Sequence, residues 1–409
     1  MTIELRVLRP SEWDEWYQGL TLAFGGIPQS PEKAALIREI TDFDRSLAAW
    51  DGAECVGSAG SFGMQVTVPG GGLAPMAGVT MVSVSSTHRR RGVLTSMMRR
   101  QLDDIRAWGE PLAVLTASEP VIYGRFGYGA AASLIRADID TARVRLELPE
   151  GTESVRIRKI PAKDALAECE PVYARQVPVR PGMIVRLPGW DRLQYLDAPE
   201  DRQGTSHLQT VLAERDGRTT GYALFRIRPG WEDAGPKGRV EIQDIQADDP
   251  ASYAALCRYV LSIDLTSVVS MSNRPVDDPW QSLISDIRRC NVRVQDSLHV
   301  RLVEVGAALE ARTYRTPVDV VLEVADAFCP WNEGRWRLTG DAKGASCERT
   351  SDAADLSLSV RELGAVYLGG SSLAELAAAG RVRELRRGAL AEASVAFGSD
   401  TAPWGPHDI

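Results

Sequence analysis

The sequence predicts an α/β protein in three parts: two mixed-sheet units in tandem, then a smaller α+β region. Three observations carry this. Between Gly78 and Gly129 an apolar strand, a basic turn, a long helical pattern and a second apolar strand follow one another. The same order of elements recurs in weaker form after Val155. Past Leu298 the pattern changes to separate strands and helical stretches rich in small residues. The 409 residues are 44% hydrophobic and 25% charged, an ordinary globular balance at a length that suits two to three domains.

Residues 3–8 alternate as a half-buried strand does. Pro10-Ser11 opens a helix, with Ser11 and Asp14 spaced as a capping box. Trp13, Trp16, Tyr17, Leu20 and Phe24 fall on one helical face, where Trp13 and Trp16 either pack the core or wall a cleft. Ser30-Pro31 opens a second helix, with Pro at its first position. Strands are predicted near 46–50 and 55–68, followed by the turn Pro69-Gly70-Gly71-Gly72. Strand, helices, strands, helix and strand in this order describe an α/β unit around a mixed sheet.

The central stretch is the most informative. The strand Val79-Thr80-Met81-Val82-Ser83-Val84 runs into Thr87-His88-Arg89-Arg90-Arg91-Gly92, and a helical pattern continues from Val93 to Trp108. A helix N-terminus carries unpaired N–H groups and a partial positive charge, so it can hold a phosphate. Gly92 lets the backbone approach an anion closely, and Arg89, Arg90 and Arg91 add charge and forked donors. An arginine run on its own is more often a solvated surface; the strand–turn–helix context is what favours phosphate.

Arg89-x-x-Gly92-x-Leu94 resembles the pyrophosphate turn of the GNAT acetyltransferases, R/Q-x-x-G-x-G/A. Together with Ala117-Ser118-Glu119 and Ile122-Tyr123-Gly124-Arg125-Phe126-Gly127-Tyr128-Gly129, the block resembles the Eis (enhanced intracellular survival) family. Leu94 departs from the Gly or Ala of generic GNAT proteins, and Eis-like proteins also carry an apolar residue there. The resemblance implies acetyl-CoA as co-substrate, with contacts from Val82, Val84, Arg89, Arg90, Arg91, Gly92, Val93, Leu94, Ser118 and Ile122. It implies no metal.

The resemblance also organises the rest of the chain. Residues 155–161 and the helical pattern through Tyr173 echo the opening, and Arg239–Ile245 sits where the motif strand should be. The turn after it, Gln246-Ala247-Asp248-Asp249-Pro250, is acidic where the first is basic. Acid at a helix N-terminus caps it and repels phosphate. The expected division is therefore a catalytic GNAT unit over 1–135, a GNAT-like unit without a CoA site over 136–295, and a sterol-carrier-protein-like unit over 296–409. In the last, strands are expected at 318–324 and 356–360 and helices at 363–367 and 372–379.

Moving an acetyl group from a thioester to an amine needs a donor for the carbonyl oxygen, a base for the amine and an acid for the departing thiolate. The donor implied by the resemblance is the backbone N–H of Val82, with Val84 pairing the pantetheine arm. A phenol is neutral at pH 7 and can be the acid. Sequence alone leaves Tyr123 and Tyr128 open. The resemblance implies Tyr123 and leaves Tyr128 for packing, its hydroxyl satisfied locally. The base it implies is the C-terminal carboxylate, here that of Ile409, with Asp408 as the rival. Without the resemblance, an apolar terminus is expected to fray.

Composition bounds the partners. The net charge of −8 argues against nucleic acid. The six cysteines and four histidines form no metal-ligand or disulfide pattern. No apolar run is long enough for a membrane span, and Met1-Thr2-Ile3-Glu4-Leu5 lacks a leader pattern, so the expected location is cytoplasmic. The expected function is acetyl transfer to primary amines of polyamine- or aminoglycoside-like substrates. The alternative is a non-catalytic carrier of an apolar ligand in the third region. A homo-oligomer, a hexamer, is implied by the resemblance alone.

Overall fold

The computed structural model describes residues 3–27 and 29–409. The first part holds β1 (Glu4–Val7), α1 (Trp13–Ala23), α2 (Pro31–Ile40), β2 (Leu47–Asp51), β3 (Glu54–Thr67), β4 (Leu73–Val84), α3 (Val93–Ala107), β5 (Leu112–Thr116), α4 (Pro120–Tyr123) and β6 (Gly129–Ala130). The second holds β7 (Ser133–Asp140), β8 (Arg156–Pro161), α5 (Leu166–Gln176), α6 (Trp190–Leu193), β9 (Gln209–Arg215) and β10 (Arg218–Arg228). It continues through a small hairpin, β11 (Trp231–Glu232) and β12 (Gly235–Pro236), to β13 (Gly238–Ala247), α7 (Pro250–Leu261), β14 (Thr266–Pro275), α8 (Trp280–Leu283) and β15 (Arg293–Asp296). The last comprises β16 (Leu298–Leu302), α9 (Val305–Glu310), β17 (Val318–Ala325), β18 (Gly334–Asp341), β19 (Gly344–Arg349), β20 (Leu356–Ser359), α10 (Val360–Val366), α11 (Leu373–Ala378), β21 (Val382–Glu384) and α12 (Ala389–Ala396).

Two seven-stranded mixed sheets and one five-stranded sheet result, ordered β1-β2-β3-β4-β5-β16-β6, β15-β7-β14-β13-β10-β9-β8 and β19-β18-β17-β20-β21. The sheets do not follow the sequence boundaries. The chain leaves β6 and crosses at once into the second sheet as β7, between β14 and β15. It returns as β16, which lies antiparallel to β5 and completes the first sheet. The third region was expected to begin near Leu298, but its own sheet begins only at β17. Every residue of β16 is buried, as suits an inner strand covered on both faces.

Most local signals act as the sequence suggests. The Ser30 hydroxyl accepts the Lys33 N–H at 3.3 Å and caps α2. Met97, Met98, Leu102 and Ile105 give α3 one buried face. Two readings change. The residue that closes the first turn is Glu12, whose carboxylate accepts the Arg9 N–H at 3.1 Å, so Ser11 and Asp14 form no capping box. Trp13, Trp16 and Leu20 are buried, but Phe24 lies past the end of α1 and is 58% exposed.

The first and third parts share one core, which runs from Phe62 and Met76 through Val300 to Val360, Leu363 and Ile409. Two glycines allow this. A Cβ on Gly129 would lie 2.0 Å from the Arg361 carbonyl oxygen and 2.4 Å from the Ala365 nitrogen. A Cβ on Gly364 would lie 2.2 Å from the Val300 carbonyl oxygen. Helix α10 therefore rests directly on the backbone that follows Tyr128. Overpacking against backbone costs about 1–3 kcal/mol or more, so Gly129→Ala is expected to lower the apparent Tm by several degrees in calorimetry. A variant that melts with the wild type would contradict this contact.

Candidate active site

The site begins where two strands part. The parallel ladder of β4 and β5 covers Met76–Leu112, Ala77–Ala113 and Gly78–Val114 and goes no further. Met81 has a φ of 54°, and the β3–β4 register shifts between Ser58 and Gly60. A bulge of this kind bends and twists a strand. The Ser58 hydroxyl fixes it by donating to the Met81 carbonyl at 2.7 Å. Past Gly78 the β4 edge that faces β5 has no ladder partner and borders a cleft of about 1210 Å³.

Nearly all of the residues expected from the sequence meet in this cleft. Val82, Val84, Arg89, Arg90, Gly92, Val93, Leu94, Ser118, Ile122, Tyr123 and Ile409 line it, as does Asp408. Arg91 is exposed but is not part of the lining. Trp16 lines the cleft while donating its indole N–H to the Leu47 carbonyl at 2.9 Å. Trp13 does not reach the cleft and stacks on Tyr17, centroids 4.8 Å apart.

At the floor, Gly92 is the residue before α3 and has a φ of 84°, while Arg90 has a φ of 63°. No side chain caps α3, and a Cβ on Gly92 would meet nothing within 4 Å. Alternating left-handed residues ahead of an uncapped helix aim backbone N–H groups into open space, the form of an anion-binding nest. Among the described residues, Arg89, Arg90 and Arg91 form no ion pair. One neighbour escaped sequence reasoning. His88 is buried, with Nε2 3.0 Å from an Asp51 carboxylate oxygen and Nδ1 2.8 Å from the Thr87 hydroxyl. It ties the turn to the end of β2. These features fit a pyrophosphate.

The corresponding turn of the second unit is closed. Asp249 accepts the Ser252 N–H at 3.0 Å and caps α7, and Asp248 is paired with Arg175. An anion would meet carboxylates where the first unit offers free N–H groups.

Tyr123 ends α4 and is half-buried. Burial, and behind it the Glu119 carboxylate, raises its phenol above the ordinary tyrosine range. The ring meets Tyr128 edge to face, with centroids 5.9 Å apart. Tyr128 is buried, as packing requires, but its hydroxyl has no partner among the described residues, which corrects the expectation of a locally satisfied group. The nearby charge is Arg301, whose guanidinium packs against Gly127 and donates to Asp326 at 2.6 Å. Asp326 belongs to the third region, so the support for this turn comes from a part of the chain remote in sequence.

The tail does not fray. Trp404 is buried, and its N–H donates to the Pro181 carbonyl at 2.8 Å. His407 meets the rings of Tyr173 and Trp190 at steep angles, centroids 5.7 and 6.0 Å away, and accepts from Arg186 Nε at 3.0 Å. Burial, with the Arg186 charge beside it, pushes this imidazole down to about 3, so it is a neutral acceptor. Ile409 meets Thr116. Its main-chain oxygen accepts from the Thr116 N–H at 3.1 Å and hydroxyl at 2.8 Å, and its own N–H donates to that hydroxyl at 3.0 Å. The Ile409 side chain occupies space left by Gly78, where a Cβ would lie 2.8 Å from its Cγ2. The sequence shows Thr116 only as a strand end and carries no signal that joins it to residue 409.

Comparison with known proteins agrees with this architecture. Models of the Acetyltransferase (GNAT) domain match residues 4–131 and 182–302, and a Sterol carrier protein domain matches 305–406. The fold and its splayed-strand cleft define an N-acetyltransferase of the GNAT class, whose domains use acetyl-CoA as co-substrate. An uncharacterized N-acetyltransferase of Streptomyces avermitilis is 64% identical over the full length of both chains. N-acetyltransferase Eis of Mycobacterium tuberculosis is 33% identical, covering 98% of each chain. The crystal structure of Eis1 from Mycobacterium abscessus superposes with a TM-score of 0.83 at 32% identity, over all of both chains. The chain belongs to the Eis family of N-acetyltransferases. Among the described residues no helix is long and apolar enough to cross a membrane.

Proposed function

We propose that this enzyme transfers the acetyl group of acetyl-CoA directly to primary amines of polyamine- or aminoglycoside-like molecules, with Tyr123 as general acid and the Ile409 carboxylate as general base. The observation that carries this reading is the hydrogen bonding of the Ile409 main chain to Thr116, in the cleft that Tyr123 also lines. Asp408 reaches the same cleft but is exposed and forms no hydrogen bond among the described residues. The raised phenol keeps its proton at neutral pH and can give it to a leaving thiolate. The Val82 N–H, on the length of β4 beyond its ladder with β5, suits a developing charge on the acetyl oxygen. Val84, further along that strand, suits the pantetheine arm, and Ser118 and Ile122 suit the far wall.

Glu54, Glu119 and Asp408 line the cleft and favour cationic acceptors, while Leu22 and Phe24 supply an apolar lip. The carrier reading has less support, because the apolar residues of the third region are packed into the core shared with the first. A panel of amines assayed for free thiol released from acetyl-CoA tests the function. Release with no amine in the panel would count against it. We also propose a cytoplasmic location for this chemistry.

Two binding results are expected. Gly92→Asp places a strained side chain and a negative charge in the nest, so acetyl-CoA affinity should fall by more than about tenfold, over 1.4 kcal/mol, with the fold kept. Unchanged affinity in calorimetry would remove the pyrophosphate from this turn. The capped turn of the second unit should leave one bound acetyl-CoA per chain. A measured stoichiometry of two would refute the argument from Asp248 and Asp249.

A further inference from the structure

The second unit has a splay of its own, and it is full. The β13–β14 ladder ends at Ile242–Met271, although β13 runs on to Ala247 and β14 to Pro275. In the first unit the ladder ends at Gly78–Val114. Two residues further along β5 stands Thr116, which holds Ile409. Two residues past Met271 on β14 stands Asn273, which holds the same tail upstream. Its side-chain oxygen accepts from the Trp404 indole at 2.8 Å, and its amide donates to the Pro406 carbonyl at 3.4 Å.

Around Asn273 the gap is closed by chain. Tyr222 donates to Asp244 at 2.6 Å, and Arg274 donates to Asp278 at 2.6 Å while its guanidinium lies 5.0 Å from the Trp404 ring centroid. Gly182 admits the tail so closely that a Cβ there would lie 3.0 Å from the Trp404 carbonyl oxygen. Arg186, paired with Glu170, donates to His407 beyond it. The two anchors sit five and two residues before the terminus.

We propose that the cleft of the second GNAT unit has become the receptor for the chain's own tail, and that Asn273 and Arg186 are positioning residues that fix the Ile409 carboxylate at Thr116. A free tail would sample many directions, and its carboxylate would meet the amine rarely. Anchoring Trp404 and His407 leaves only the last residues to be ordered by Thr116, which raises the fraction of time spent in reacting geometry. The catalytic consequence rests on the general-base role proposed for Ile409; the docking does not.

The test uses the full-length enzyme with Asn273→Ala, His407→Ala and His407→Gln. Release of Ile409 by a carboxypeptidase reports the tail. Steady-state kinetics and acetyl-CoA titration report its consequence. Both alanine variants should release Ile409 about tenfold faster or more, with kcat lowered in parallel and acetyl-CoA affinity unchanged. His407→Gln keeps an acceptor for Arg186 and should behave as wild type in both. Release at the wild-type rate in the alanine variants overturns the proposal, as does a loss of kcat without faster release. Faster release with full kcat upholds the docking and removes Ile409 as the base.

Discussion

An enzyme extended by a few residues after Ile409 is expected to lose about 10²–10⁴-fold in kcat, the usual contribution of a positioned acid or base. The extension turns the carboxylate at Thr116 into an amide and carries the charge out of the cleft. The cleft floor at Gly92 is untouched, so acetyl-CoA affinity should stay near wild type, and an N-terminal tag should change nothing. Deleting Asp408 and Ile409 should act like the extension, because the new terminus stops short of Thr116. Ile409→Ala keeps the carboxylate but loses the contact beside Gly78 and Met64, and should be milder. Asp408→Asn separates the rival base. Full activity in the extended enzyme together with a dead Asp408→Asn would move the role to Asp408.

Tyr123→Phe should lower kcat by a similar factor, about 10²–10⁴-fold, through loss of the proton donor, with little effect on acetyl-CoA affinity. Tyr128→Phe is the control. It removes a buried hydroxyl that has no partner among the described residues, so it should leave kcat near wild type and is more apt to stabilise than to destabilise. A crippled Tyr128→Phe beside an active Tyr123→Phe would reverse the assignment within the turn. The pair is informative because the rings touch: a general disturbance of the turn would affect both variants alike.

The parts of the site that were legible in the sequence are those made by neighbours in the chain. Arg89 to Gly92, Leu94 and the run from Ile122 to Gly129 lie within one strand–turn–helix–strand segment; the order of elements suggests a phosphate turn, and the resemblance of the whole block implies the proton donor. The acidic turn of the second unit was legible for the same reason, since capping acts over three residues. Where the local pattern was weak, reading failed by small amounts. Glu12 rather than Ser11 closes the first turn, and Phe24 escapes the core because α1 ends at Ala23.

By itself the sequence determined the order and type of the elements and the basic turn with its acidic counterpart, because these depend on periodicity and on contacts a few residues apart; the tyrosines came from the resemblance of the block that holds them. Only the tertiary structure decided which strands complete which sheet. The exchange of β7 and β16 between units is long-range: β16 is buried along its whole length and β7 only in alternation, and a short apolar run cannot specify which sheet takes either strand. The same holds for the terminus. Thr116 and Ile409 are bonded across a sequence separation of 293, and Asn273 and Trp404 across 131. No local propensity encodes such pairs. They exist because three sheets pack so that Gly78, Gly129 and Gly182 leave room for chain arriving from elsewhere, and the last residue is held where the strands part.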